Sequence, residues 1–418
     1  MIRRYLQDLT LESLKYFPVV LLTGARQVGK STLAQALIKG SWDATYFTLD
    51  DRTTLDAALR DPDGFVSGLP MPVIIDEVQK APDLLRAIKR SVDQNRRLGQ
   101  YLLTGSANIM TLSTVSESLA GRIALHSLHP FCWSEFLEKP APMIIKDLFR
   151  GIDSKKLLKN YSRISLKDYK ARLIERVLRG GYPSPALMES DQAREQWFSS
   201  YRQTYLERDL LNIKSIENLP DFNRLLSLAA LRTGRLVNLS DLSRETGLPF
   251  TTLRRYMNLL EVTYQISFIR PYFTHLGKRL VKTPKLYFND TGMATHLMGV
   301  NEWKALENQG QAGPMVETWV ACELLKLMPV LDHRFRLCFW RTQTGQEVDF
   351  LMEKAGKVVA IEVKWGRQID ESDRRNLSRL AEDLKERLLF SVVLYSGVES
   401  VPLGPKTVAM PFPIFFGV

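Results

Sequence analysis

The chain has 418 residues, a length that suits about two to four domains, and its 45% hydrophobic and 25% charged residues are typical of a globular protein. Three cysteines and five histidines, widely spaced, exclude a disulfide framework and a zinc signature, and no apolar run approaches the roughly 20 residues of a membrane helix. We therefore expect a cytoplasmic protein without a membrane partner. The net charge of +11 favours polyanionic partners.

A phosphate-binding loop follows the first predicted strand. Residues 24–31 read Gly-Ala-Arg-Gln-Val-Gly-Lys-Ser, a complete G-x-x-x-x-G-K-[ST] motif between the apolar run 19–23 and a helical segment. Its glycines let backbone N–H groups face a phosphate. Lys30 is expected to reach the β- and γ-phosphates, and Ser31 to offer its hydroxyl to Mg²⁺. The predicted nucleotide-binding residues are Gly24, Ala25, Arg26, Gln27, Val28, Gly29, Lys30, Ser31 and Thr32.

Acidic residues end the next two strands. The run 44–49 ends at Asp50-Asp51, and the run 71–75 ends at Asp76-Glu77, which has the form of a Walker B box. Asp76 is predicted to hold Mg²⁺, and Glu77 to orient and deprotonate the attacking water. Adjacent carboxylates also occur on surface turns, but the preceding apolar strand favours catalysis.

A further strand, 100–104, runs into Gly-Ser-Ala-Asn. Ser106 or the catalytic candidate Asn108 could sense the γ-phosphate or position water, and a plain Gly-Ser turn is the alternative. The chain has no Asn-Lys-x-Asp guanine-reading box, which favours ATP over GTP. Strands alternating with helices predict an α/β domain over 1–135, with a parallel sheet and helices on both faces.

Arg122 follows a helical segment after this strand. It could act as an arginine finger on the nucleotide of a neighbouring subunit in a homo-oligomer. The alternative, held equally, is a surface arginine or a structural salt bridge.

Residues 136–215 have the Lys, Arg, Leu pattern of a helical connector or lid, interrupted at Gly180-Gly181-Tyr182-Pro183. Trp197, Tyr201 and Tyr205 recur every four residues, a spacing more typical of a core than of a ligand site.

Residues 216–290 have the pattern of a winged helix-turn-helix. We expect a first helix over 222–231, a second helix that begins at Asn238-Leu239-Ser240 with a serine cap, and a third helix over 249–261. Gly247 is expected to form the turn before the third helix. Strand 266–270 and a second strand then form the wing. Four basic residues flank that second strand: Lys278, Arg279, Lys282 and Lys285.

The third helix is the candidate DNA-recognition element. Leu253, Met257 and Leu260 are expected to face inward. The predicted DNA-binding residues are Thr251, Thr252, Arg254, Arg255 and Asn258. Residues 213–290 carry twelve Lys/Arg against six Asp/Glu, which favours DNA. A protein–protein module is the alternative.

The last segment, 291–418, contains a carboxylate–carboxylate–lysine set on a predicted hairpin. Asp349 lies on one strand, and Glu362 and Lys364 share a face of the next. Glu317, on a preceding helix, could complete a site for a divalent cation. This is the pattern of a PD-(D/E)xK nuclease, and a cross-strand salt bridge is the alternative.

Together these motifs resemble the prokaryotic AAA-family ATPases that carry a C-terminal DUF4143 domain. The matching segments are 24–32, 49–51, 75–82, 119–122, 180–183, 204–209, 285–292, 340–341, 347–350 and 361–364. The resemblance implies an AAA-type P-loop core, a winged helix and a restriction-endonuclease-like α/β domain.

The sequence therefore predicts an ATPase with ATP and Mg²⁺ as cofactors, coupled to a DNA-facing module. Two alternatives stay open. The nuclease-like domain could be an active, metal-dependent endonuclease, or the chain could be a nucleotide-gated switch whose inactive nuclease-like domain binds DNA or protein.

Overall fold

A computed structural model describes residues 1–40, 42–106, 119–161, 168–204, 218–273 and 282–418, with side chains omitted at 371–373. The chain divides into two compact units. The first contains Met1, residues 3–130 and residues 258–265. The second contains Ile2, residues 131–257 and residues 266–418. None of the helices in the described ranges has both the length and the apolar character needed to cross a membrane.

The first unit is an α/β domain built on a parallel sheet, as predicted. Its helices are α1 Leu6–Leu14, α2 Lys30–Gly40, α3 Arg52–Arg60, α4 Pro62–Ser67 and α5 Leu84–Gln94. Its strands are β1 Val19–Thr23, β2 Thr45–Thr48, β3 Val73–Asp76, β4 Tyr101–Thr104 and β5 Ile123–Ser127. The sheet order is β2-β3-β4-β1-β5, and every pairing is parallel.

Helices cover both faces of this sheet. Val19 and Leu21 pack into the apolar core that includes α3, α4 and α5. Val20 and Leu22 point to the opposite face because successive strand residues alternate, and α1 contacts β1 while α2 contacts β4. Burial on both faces explains why β1, β3 and β4 are almost entirely apolar. Because the strands are parallel, the polar residues at their carboxyl ends share one edge of the sheet.

The second unit contains the remaining described helices and a mixed sheet. Its helices are α6 Trp133–Phe136, α7 Ile144–Phe149, α8 Ser154–Tyr161, α9 Tyr169–Arg179, α10 Pro183–Leu187, α11 Asp191–Tyr201, α12 Leu219–Leu231, α13 Leu239–Thr246, the first two turns of α14 Phe250–Val262, α15 Thr291–Leu297, α16 Trp303–Asn308, α17 Ala312–Leu331, α18 Glu371–Leu384 and α19 Phe412–Phe416. Its strands are β6 Arg235–Leu236, β7 Ile266–Pro271, β8 Lys285–Phe288, β9 Arg336–Arg341, β10 Glu347–Lys354, β11 Lys357–Lys364, β12 Leu388–Tyr395, β13 Val401–Gly404 and β14 Thr407–Pro411. The sheet order is β13-β14-β12-β11-β10-β9-β7-β8-β6.

The residue ranges of helices α12, α13 and α14 agree closely with those of the three helices expected between residues 222 and 261. Gly247 ends α13 with a φ of 73°, as the predicted turn requires. The predicted serine cap is wrong, because the side chain of Asn238 accepts hydrogen bonds from the N–H groups of Ser240 and Asp241. Ser240 already lies inside the helix, where its side chain cannot cap the first turn.

The aromatic residues of α11 pack as a core, which the four-residue spacing predicts. Trp197 stacks on Tyr201 with ring centroids 5.1 Å apart, and Tyr182 contacts both rings. Tyr205, the last member of the predicted stripe, lies outside the described residues.

The Gly180-Gly181 pair is explained by a close approach of α9 to α15. The carboxylate of Asp290 accepts the Gly181 N–H at 2.6 Å and the Met293 N–H at 2.9 Å. A Cβ on Gly180 would lie 2.2 Å from Asp290, and one on Gly292 would lie 2.5 Å from the Arg179 carbonyl oxygen. These glycines therefore maintain packing, which the sequence alone shows only as a helix break.

Candidate nucleotide site and carboxylate cluster

The loop between β1 and α2 has the backbone shape that a phosphate loop needs. Gly24 and Gly29 have φ angles of 145° and 94°, and a Cβ on Gly24 would lie 2.2 Å from the Leu128 carbonyl oxygen. Lys30 begins α2. Its Nζ donates to the carbonyl oxygens of Gly24 at 3.1 Å and Ala25 at 2.9 Å, so the ammonium lies beneath the loop.

Lys30 is buried, with 5% of its surface exposed. Burial lowers the pKa of Lys30 to about 8, although Glu77 and Asp76 act in the opposite direction. The ammonium is therefore a poorly hydrated cation that an anion would stabilise.

Asp76, the last residue of β3, is where hydroxyl groups from three elements converge. Ser31 donates to Oδ1 at 3.1 Å, Tyr46 of β2 donates to Oδ2 at 2.6 Å, and Thr104 of β4 also donates to Oδ1. Burial and this hydrogen bond raise the pKa of Tyr46 above its usual range, so its phenol stays a donor. The two predicted magnesium ligands, Ser31 and Asp76, are thus in direct contact.

Glu77 follows with a left-handed backbone, φ 61°. Its N–H donates to Thr104 Oγ1 at 3.2 Å. The amide of Gln79 donates to the Glu77 carboxylate and, at 3.0 Å, to the Ser106 hydroxyl. Ser106, one of the two residues expected to follow β4 at the site, is therefore linked to the predicted catalytic carboxylate, while Asn108 lies outside the described residues.

Three residues of this site were not predicted from the sequence: Tyr46, Thr104 and Gln79. Thr104 is the last residue of a buried strand, and adjacency to β3 would have indicated its contact with Asp76. The sequence offers no comparable signal for Tyr46 or Gln79, because their roles depend on sheet order and on the turn after Glu77.

Arg122 pairs with Asp93 in the same chain, with Nε 2.5 Å from Oδ1, and donates to the Ala120 carbonyl oxygen at 3.0 Å. This arrangement is the salt-bridge alternative. The arginine finger stays a prediction.

Helix α14 presents the expected division into two faces. Leu253, Met257 and Leu260 are buried. Of the predicted DNA-binding residues, Thr251, Arg254, Arg255 and Asn258 are exposed and Thr252 is half-buried. After this helix, the hydroxyl of Tyr264 lies 2.7 Å from Thr23 Oγ1, one residue before the phosphate loop.

The C-terminal candidates come together, but a lysine lies among them. We call the group Lys285, Glu317, Glu347, Asp349, Glu362 and Lys364 the carboxylate cluster. Asp349 and Glu362 face each other across β10 and β11, and Lys364 pairs with Glu362 at 3.1 Å. Lys285 Nζ lies 2.8 Å from Glu317, 2.5 Å from Glu347 and 3.7 Å from Asp349. No three His, Cys, Asp or Glu side chains in the described ranges form a group that could hold a metal ion.

Lys285, expected to flank the second strand of the wing, is instead the first residue of β8 and is buried. Only 3% of Lys285 is exposed, because β8 directs it toward the acidic side chains of the second unit. Lys278 and Arg279 lie outside the described residues, and Lys282 is exposed.

Three protein-family models match parts of the chain. Residues 16–137 match the AAA domain family, 170–304 match a domain of unknown function (DUF8612), and 312–415 match a second domain of unknown function (DUF4143). The AAA match covers the P-loop and both acidic strand ends, and it indicates that the first unit binds ATP.

Relatives match over most of their length. An uncharacterized protein of Mycobacterium tuberculosis is 30% identical over 94% of this chain and 80% of its own. An uncharacterized protein of Methanocaldococcus jannaschii is 21% identical over 93% of this chain and 85% of its own. The solved Walker-type ATPase PABY2304 of Pyrococcus abyssi is 16% identical, covers 71% of this chain and 96% of that one, and gives a TM-score of 0.43.

The depressed pKa of Lys30 predicts that ATP affinity depends on pH. The ammonium form binds phosphate, so affinity is full below the pKa of about 8 and is lost as the pH rises through it. From pH 7 to pH 9, we expect calorimetry to show a dissociation constant roughly tenfold weaker. Lys30→Arg is the control, because its guanidinium stays charged and its affinity should not change over this range. A wild-type affinity that is equal at pH 7 and pH 9 would contradict this account.

Proposed function

The chain belongs to the family of AAA-domain proteins with a C-terminal DUF4143 domain, and on this premise we propose that it hydrolyses ATP with Mg²⁺ and couples hydrolysis to a DNA-binding winged helix. The observation that carries the hydrolysis proposal is the contact of Ser31 with Asp76, with Glu77 next to it. A passive nucleotide pocket would not require a carboxylate positioned to activate water.

The residues fit ATP and magnesium. The loop N–H groups and the α2 N-terminus form an anion site, and the Lys30 ammonium completes it. Magnesium, when bound, would neutralise phosphate charge. Ser31 and Asp76 would hold it, and the Tyr46 and Thr104 hydroxyls keep the Asp76 carboxylate oriented.

Glu77 is the candidate general base. Its carboxylate would orient a water molecule and accept its proton. Gln79 donates to that carboxylate and to Ser106, so it acts as a positioning residue that restricts where the carboxylate points. Release of this hydrogen bond would free Glu77 for the water.

Tyr264 supports coupling of the nucleotide site to the winged helix. Helix α14 carries the exposed Arg254 and Arg255, and the chain leaves it at Tyr264, whose hydroxyl contacts Thr23. Thr23 immediately precedes Gly24 of the phosphate loop. A shift of α14 would therefore change a contact at the loop.

DNA is the partner that the charge of this segment favours. Lys and Arg exceed Asp and Glu by six over residues 213–290, although one of these lysines, Lys285, is buried. Exposed arginine and threonine on one helix face are suited to phosphate and base-edge contacts. A protein-binding module is the alternative.

The nuclease-like pattern of Asp349, Glu362 and Lys364 carries no nuclease proposal. The Lys285 ammonium lies among the carboxylates where a divalent cation would be needed. This favours, as a second candidate, a nucleotide-gated switch whose nuclease-like domain is inactive and binds DNA or protein.

Substitutions in the nucleotide site, with a control outside it, test the hydrolysis proposal. We expect Lys30→Ala to lower ATP turnover at least about a hundredfold, because the phosphates lose their buried cation. Glu77→Gln should retain ATP binding and lose about 10²- to 10⁴-fold in turnover. Lys39→Ala, at the exposed end of α2, is the matched control and should hydrolyse ATP normally. The rate of phosphate release is measured for the wild type and the three variants. Equal rates in Lys30→Ala and the wild type would refute the proposal.

Arginine substitutions on α14 test DNA binding. Arg254→Ala with Arg255→Ala should weaken binding to any duplex and reduce the slope of log affinity against log salt by up to about 2. Lys304→Ala, an exposed lysine on α16, should leave the slope unchanged. Electrophoretic shift assays at several salt concentrations provide the slopes. An unchanged slope in the double variant would remove α14 from the interface, and absence of wild-type binding would favour the protein-binding alternative.

A further inference from the structure

The carboxylate cluster contains its own cation. Lys285 is the first residue of β8, whereas Glu317 lies on α17 and Glu347 and Asp349 lie on β10. Together with β11, which carries Glu362 and Lys364, four elements of the second unit contribute charged side chains to this cluster.

The Lys285 ammonium contacts three of these carboxylates. Nζ lies within hydrogen-bond distance of Glu317 and Glu347 and within ion-pair distance of Asp349. The ring of Phe339 lies below it, with its centroid 5.7 Å from Nζ. An ammonium has three N–H donors, and three acidic side chains surround it.

Other donors also form hydrogen bonds or ion pairs with these carboxylates. The Tyr287 hydroxyl donates to the same oxygen of Glu317 at 2.5 Å, and the guanidinium of Arg341 lies 2.5 Å from Glu347. The Val363 N–H donates to Asp349 at 2.9 Å. A hard divalent cation needs several oxygen ligands with available lone pairs, and here an oxygen of each of these three carboxylates already accepts a protein hydrogen bond.

Protein cations already offset most of the carboxylate charge. Four carboxylates (Glu317, Glu347, Asp349 and Glu362) face three cations (Lys285, Arg341 and Lys364). Burial and the neighbouring Asp349 raise the pKa of Glu317 to about 7, and burial and Asp349 also hold the pKa of Glu362 well above its usual range. A divalent cation placed among these carboxylates would be repelled by the Lys285 ammonium, which already lies there.

We infer that Lys285 takes the place of the divalent cation in this nuclease-like cluster, and that the cluster is a metal-free ionic centre joining β8 to α17 and β10. The ammonium supplies the counter-charge that nucleases obtain from a metal. The centre is therefore structural, and the domain does not cleave DNA through Asp349 and Glu362.

Manganese binding to the full-length protein tests the inference. The nucleotide-free chain, with Asp76→Asn to remove the other metal site, is titrated with Mn²⁺ and followed by electron paramagnetic resonance. We expect no bound Mn²⁺ that depends on Asp349. Bound Mn²⁺ that disappears when Asp349→Asn is added, with Lys285 intact, would overturn the inference.

Substitution of Lys285 provides a second test of the inference. Lys285→Ala opens space among the carboxylates and should gain a Mn²⁺ site that is lost again on adding Asp349→Asn. The variant should unfold at a lower temperature than the wild type, and Mn²⁺ should restore part of the difference. Failure to gain a site, or unchanged thermal stability, would contradict the inference.

Lys326→Ala is the matched control. The side chain of Lys326, on α17, is also largely covered, and it contacts one carboxylate, Glu323, at 3.5 Å and the Phe131 carbonyl oxygen at 2.9 Å. Its loss should destabilise the protein without creating a Mn²⁺ site. Equal Mn²⁺ binding by both lysine variants would mean that destabilisation alone exposes carboxylates and would overturn the inference. The wild-type titration is informative even if Lys285→Ala does not fold.

Discussion

The nucleotide site depends on the buried carboxylate of Asp76 at the end of β3. Hydroxyls from Ser31, Tyr46 and Thr104 meet there, so a single side chain links the phosphate loop to both strands beside β3. A buried carboxylate is stable only when its oxygens accept hydrogen bonds. The same bonds orient it toward Ser31, and hence toward the position that magnesium would occupy beside a nucleotide.

The sequence was informative where chemistry is local. The phosphate loop, the acidic pair at 76–77, the parallel sheet and the helices of 219–262 all follow from short motifs or from hydrophobic periodicity. The sequence did not indicate contacts between residues that lie on different helices and strands. Tyr46 reaches Asp76 only because β2 is next to β3. The sequence also provided no indication that Lys285 on β8 is buried against Glu317 and Glu347.

The two groups of acidic residues show why motif spacing alone does not identify a metal site. Asp76 contacts neutral hydroxyl groups, and the Lys30 ammonium binds loop carbonyl oxygens instead. Asp349 lies 3.7 Å from the Lys285 ammonium, and it accepts a hydrogen bond from the Val363 N–H. The difference depends on Lys285, which lies 64 residues before Asp349 in the chain and outside the Asp-Glu-x-Lys pattern.

Coupling is the central claim, and the Tyr264–Thr23 contact is its most specific element. The direct measurement is the rate of ATP turnover with and without duplex DNA, in the wild type and in Tyr264→Phe, which keeps the ring and removes only the hydroxyl. The account predicts that DNA changes the wild-type rate, and that Tyr264→Phe keeps its basal rate and its DNA affinity but loses most of the DNA effect. An equal DNA effect in both proteins would contradict it.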